Sequence, residues 1–137
     1  MKILNQLEAN DQPAQSEKPL PLKTNLVLQP GDSVTLQCAA AKALIEIWDN
    51  GKIDGDKVTI QHNGTVIASQ LLLTDKKHQI NIALTPKKRE RLVFKAVHEG
   101  AEPPMTAKMT CTCGDITYTI DASAYLGLPI ELIIYNQ

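Results

Sequence analysis

From Thr24 onward the chain alternates apolar and polar residues at period two, in short runs rich in Val, Ile, Leu and Thr and bounded by Gly, Pro, Asn and Asp. Alternation of this kind sends successive side chains to opposite faces of a strand, so each run predicts a strand with one side turned to a core. There are about ten such runs. Leu26 and Leu28 precede a Pro30-Gly31-Asp32 turn, and Val34, Leu36 and Cys38 share a face beyond it. Ala39–Ala43 has helical propensity but too little length to nucleate a helix, and predicts a connection. Leu44–Trp48 is nearly continuous in apolar residues, as a strand covered on both faces would be. Val58 and Ile60 lead to Asn63-Gly64, two residues that tolerate the positive φ of a tight hairpin, with Val66–Leu72 returning.

The second half repeats the pattern. Ile80, Ile82 and Leu84 share one face, as do Leu92, Phe94 and Ala96. His98–Pro104 predicts an irregular link, because two successive prolines donate no ladder hydrogen bonds. Met105, Ala107, Met109, Cys111 and Cys113 then oppose Thr106, Lys108, Thr110 and Thr112, and Ile116, Tyr118 and Ile120 follow Gly114-Asp115. A turn over Ala122–Leu128 leads to Ile130–Tyr135, apolar on both faces and so predicted to be central. Short strands without interposed helices predict an all-β fold, an antiparallel β-sandwich of jelly-roll type, over residues 23–137. Residues 1–22 are polar and proline-bearing, with too few apolar groups to offset ordering entropy, and read as a flexible leader or tether.

Composition narrows the functions. The 137 residues suit one domain with a real core, and the formal net charge of -1 supplies no field for nucleic acid or an anionic membrane. The one basic run, Lys87-Lys88-Arg89, is followed by Glu90 and reads as a solvated turn. No window approaches the roughly 20 apolar residues of a membrane span, and Met1–Asn5 lacks the apolar core of a secretory signal. Three cysteines allow one internal disulfide and leave one thiol.

The most distinctive stretch is Trp48–Ile67, where Asp49, Asn50, Asp54 and Asp56 crowd a loop broken by Gly51 and Gly55. Such a loop either bonds to its own backbone N–H groups or offers oxygens to calcium. The spacing is not that of an EF-hand, whose third and fifth ligand positions would fall on Gly51 and Ile53. Cys111 and Cys113 share a face with Met105 and Met109, which favours core packing over a disulfide involving Cys38 or a zinc site completed by His98. His62, His78 and His98 sit among turns and strand ends and read as exposed polar residues. No nucleophile elbow, phosphate-binding loop or positioned Cys–base pair is present. Trp48 and Tyr125 are the aromatics to watch for stacking on a sugar, although core packing is the default for aromatics on strands.

The motif D-N-G-K-I-D-G-D-K-V-T-I-Q-H-N-G-T-V at Asp49–Val66, followed by A-V-H-E-G-A-E-P-P-M-T-A at Ala96–Ala107, resembles a family of small β-sandwich modules of exported bacterial proteins. Its members are often lipoproteins or surface-associated, typified by D-N-G-x-x-D-G-D-x-V/I…N-G and then A-E-N-x-G-x-x-P-P-N-T-A. The resemblance covers roughly residues 24 to 135. It implies export to the periplasm, surface or exterior and a non-catalytic role. Val97, His98 and Met105 stand where the family has Glu, Asn and Asn, which weakens any part those positions play in pinning the loop or holding a cation. The expectation is a module for binding, adhesion or assembly, whose partner is a surface protein, a glycan or a second copy. Its variants are self-assembly through the N-terminal segment and a calcium-dependent carbohydrate-binding module. Nucleic acid and membrane insertion are not expected.

Overall fold

The strands form where the period-two runs predict them, and two of them also take in Lys42–Ala43 and His98–Glu99, which the sequence assigned to connections. The structure, a computed structural model, describes residues 23–49, 55–99 and 104–137, so the leader over 1–22 lies outside it. Among the described residues there are ten strands and no helix: β1 (Asn25–Leu28), β2 (Ser33–Gln37), β3 (Lys42–Trp48), β4 (Asp56–His62), β5 (Thr65–Leu72), β6 (His78–Ala83), β7 (Arg89–Glu99), β8 (Met105–Cys113), β9 (Ile116–Ala124) and β10 (Ile130–Tyr135). They make two five-stranded sheets, β1-β9-β8-β3-β6 and β2-β10-β7-β4-β5, packed as a β-sandwich.

Neither sheet is wholly antiparallel, a correction to the expected topology. β1 runs parallel to β9, with Asn25 opposite Thr119, and β2 runs parallel to β10, with Ser33 opposite Glu131. Period-two patterning says which face is buried but carries no strand direction. A parallel pair needs a long crossover, and here most of the chain lies between the partners. The Pro30-Gly31-Asp32 turn makes the change of sheet. Gly31 takes φ +89°, Asp32 N–H donates to the Gln29 carbonyl at 2.9 Å, and the Gln29 N–H donates to the Asp32 carboxylate at 2.7 Å. The same turn is tied to the start of β10, since Gly31 N–H donates to the Pro129 carbonyl at 3.0 Å.

The predicted inward sets meet in one core. Leu36, Ile45, Ile60, Leu92, Phe94, Met109, Tyr118, Ile120 and Leu132 are all buried, and the Tyr118 hydroxyl, which burial would otherwise strand, donates to the Gln37 carbonyl at 2.7 Å. β3 and β10, predicted to be covered, are interior strands whose outer residues remain half-buried. β9 runs to Ala124, past the expected turn boundary at Ala122, because these small residues pack inward opposite Ala107 and Met105. The turn itself is Tyr125–Leu128, with Leu128 N–H donating to the Tyr125 carbonyl at 2.9 Å. Asn63 and Gly64 adopt φ values of 50° and 87°, as the hairpin requires.

All three cysteines lie in the core, and two are joined. Cys38, just beyond β2, forms a disulfide with Cys113 at the end of β8, linking one sheet to the other with Cα atoms 5.2 Å apart. Core packing is thus correct for Cys111, a buried free thiol, whereas Cys38 and Cys113 take the disulfide alternative. The sequence separation of 75 makes this a long closed loop, worth about 4.5 kcal/mol of chain entropy.

Candidate functional site

Strand directions bring several connections to one end of the sandwich. The end of β3 at Trp48, the start of β4 at Asp56, the end of β7, the start of β8 and the Tyr125–Leu128 turn all lie there. Of the predicted loop residues, Asn50 and Asp54 lie outside the described residues. Asp49 and Asp56, which flank them, are 3 % and 1 % exposed. The Asp49 N–H donates to the Thr74 carbonyl at 2.7 Å, and the Asp56 carbonyl accepts from Leu73 N–H at 2.9 Å. Both ends of the loop are therefore stitched to the segment after β5. The Asp56 carboxylate reaches across to β8, where Oδ2 accepts the Thr106 N–H at 3.3 Å. Burying a carboxylate is unfavourable unless hydrogen bonds replace its water, so this bond ties the loop root to the frame. Gly55, at φ +92°, gives the chain the left-handed turn that leads into β4. Among the described residues no group of three or more His, Cys, Asp or Glu is gathered to hold a metal ion.

The two candidate sugar-stacking aromatics do not converge. Trp48 is opposite Lys108 on β8, whereas Tyr125 lies beyond the Ala124–Met105 pair on β9, so their backbones stand roughly 15 Å apart by strand spacing and rise. The Trp48 ring is already covered by the Lys77 ammonium, 4.6 Å from its centroid. Tyr125 is 44 % exposed beside Leu126 and Leu128 at 55 % and 49 %, and it lines a depression with Lys95, Val97 and Pro129 in which Trp48 takes no part.

The opposite end holds a polar cluster that sequence reading missed. Glu90 is buried at 5 %, its Oε1 accepting from His62 Nε2 at 2.7 Å and from Asn63 Nδ2 at 3.0 Å, while Asn63 Oδ1 accepts the Arg91 N–H at 2.8 Å. His62 is therefore engaged rather than a solvated polar residue. The signal was in the alternation, because Glu90 shares parity with Leu92 and Phe94, yet the adjacent Lys87-Lys88-Arg89 run made it look like part of a turn.

The remaining reactive group is Cys111, whose sulfur lies 3.8 Å from that of Cys113. Burial pushes its thiol up to about 12, so at neutral pH only about one molecule in 10⁵ carries the thiolate that nucleophilic attack requires. Fold and geometry define a disulfide-bonded β-sandwich module. No protein-family model, curated protein or solved structure matches the chain.

Proposed function

We propose that the chain is a non-catalytic β-sandwich module that works in the bacterial envelope or outside the cell, in binding, adhesion or assembly. The observation that carries this reading is the Cys38–Cys113 bond buried between the sheets. Such bonds persist in oxidising compartments, the periplasm and the exterior among them, and are rare in reducing cytosol. The motifs at Asp49–Val66 and Ala96–Ala107 favour the same compartment through their resemblance to exported modules. The engagement of Asp56 with β8 supports a structural use of the acidic loop. The test is a thiol census in which the cells that make the protein are fractionated and each fraction is denatured in iodoacetamide, so that the buried Cys111 thiol reacts as well. One alkylated cysteine per chain in an envelope or exterior fraction is expected; three alkylated cysteines in a cytoplasmic fraction would refute it.

A second reading, self-assembly by addition of the N-terminal segment to a neighbour's sheet, is favoured by β5. It is an edge strand of eight residues, with Val66, Ile67 and Leu72 exposed at 50 %, 42 % and 45 %. Under this reading deletion of residues 1–22 leaves a folded monomer and abolishes assemblies in light scattering.

A further inference from the structure

The outer face of the second sheet carries a charge that the chain as a whole does not. β7 is the middle strand of that sheet, and its alternation with buried Glu90, Leu92, Phe94 and Ala96 turns Arg89, Arg91 and Lys95 outward, all three exposed. Lys57 of the adjacent β4, between buried Asp56 and Val58, joins them. Lys87 and Lys88 extend the row past the start of β7, where Lys87 N–H donates to the Asn136 carbonyl and holds that turn against the end of β10. Among the described side chains of this face and rim, those six cations meet two carboxylates, Glu131 on the face and Asp32 at the turn before β2, although the chain totals 14 Lys and Arg against 15 Asp and Glu.

The row is built around a depression. Val93 and Ile133 form its floor, and Gln61, Asn63, Arg89 and Arg91 line it. Arg91 already displays carboxylate recognition: its Nε donates to Glu131 Oε2 at 2.9 Å, and the other Glu131 oxygen accepts from Ser33 Oγ at 2.8 Å. Because the Arg91 side chain is still 61 % exposed, its outward donors remain in water. The Arg89 guanidinium lies 4.9 Å from the Tyr135 ring centroid, which restricts its orientation. Two residues apart on one strand, the arginines are spaced about 7 Å, and each fork matches one carboxylate.

We propose that this face binds an acidic polysaccharide, a polyuronate chain laid along β7 with its carboxylates on Arg89, Arg91 and Lys95 and its hydroxyls at Gln61. The inference rests on the exported-module reading, since outside the cell the polymers that repeat a carboxylate along a hydroxyl-rich chain are glycans. Charge complementarity selects an anion. A single-stranded nucleic acid would want free aromatic faces for stacking, and the Tyr135 ring is taken by Arg89. A membrane surface would want protruding apolar groups, whereas Val93 and Ile133 lie half-buried in the floor.

The experiment is calorimetric titration of the full chain at low salt with polygalacturonate oligomers, alongside dextran, a single-stranded DNA oligonucleotide and phosphatidylglycerol vesicles. Polygalacturonate is expected to bind, more weakly as salt rises, and dextran is not. Arg89→Gln with Arg91→Gln should weaken binding by about tenfold or more, with the melting temperature little changed. Lys23→Gln with Lys42→Gln, the same charge removed elsewhere, should leave the affinity as it was. Absence of polygalacturonate binding, indifference to the arginine pair, or equal binding of DNA or vesicles would each overturn the proposal. If the thiol census returns a disulfide-bonded envelope protein while polygalacturonate does not bind, only this inference fails; three reduced cysteines in the cytoplasm defeat the reading beneath it.

Discussion

Replacing Cys38 and Cys113 together by alanine removes the covalent link between the two sheets. At a sequence separation of 75, chain entropy alone predicts a loss of about 4.5 kcal/mol at 25 °C. Domains of ordinary stability hold about 5–15 kcal/mol in total, so the variant should sit near the edge of folding. At roughly 4 °C per kcal/mol for a domain of this size, the melting temperature should fall by roughly 15–20 °C. Urea unfolding followed by circular dichroism separates this cause from lost packing. Without the cross-link the denatured chain expands and exposes more surface, so the dependence on urea should steepen as the midpoint falls. Cys111→Ala is the control: it removes a buried sulfur from the same region, should cost about 1–2 kcal/mol, and should leave the slope alone. A loss below about 1 kcal/mol in the double variant, with an unchanged slope, would refute the argument that the bond acts by restraining the unfolded chain.

Cys111 predicts a pH dependence. The unfolded thiol releases its proton near the ordinary value of 9.0, whereas the folded one holds it to about 12. Over that window the native state binds more protons, so stability should fall with rising pH by up to about 1.4 kcal/mol per unit and level off above it, and Cys111→Val should flatten the curve in alkaline urea melts. Glu90→Ala leaves His62 and Asn63 without their shared acceptor and should cost about 1–3 kcal/mol by chemical denaturation, with Glu90→Gln milder because it keeps an acceptor. Asp56→Ala should cost about 1–3 kcal/mol through the lost Thr106 bond. If the loop is self-bonded, millimolar calcium should leave the thermal midpoint of the parent protein unchanged, and a rise abolished by Asp54→Ala would instead establish a cation site.

Strands were legible because burial imposes a period of two, and that rule holds even where propensity is poor. Ala122 and Ala124 are the exception that shows its limit: alanine is a weak strand former, so the sequence suggested a turn where small side chains fill narrow core space. Glu90 marks another limit, since a carboxylate at an inward position is legible only once its partners His62 and Asn63 are known to sit across the hairpin. Pairing between distant segments was invisible for the same reason. Nothing local ties Cys38 to Cys113, or Ser33 to Glu131, and only the folded sheets bring them together. The acidic loop was conspicuous in the sequence, whereas the cationic row on β7 was not. Its residues are spaced through a strand, and their common outward aim follows from alternation with core positions rather than from any run of like charge.

The parallel docking of β1 on β9 and of β2 on β10 has a kinetic consequence. During synthesis the two earliest strands emerge long before the strands that receive them: β1 waits for Ile116–Ala124, and β2 has no partner until Ile130–Tyr135 has left the ribosome. On the proposed reading as an exported module, such a polypeptide can be threaded through a translocation pore before it commits to tertiary structure, and the bond that clamps the sheets then forms in the oxidising compartment beyond.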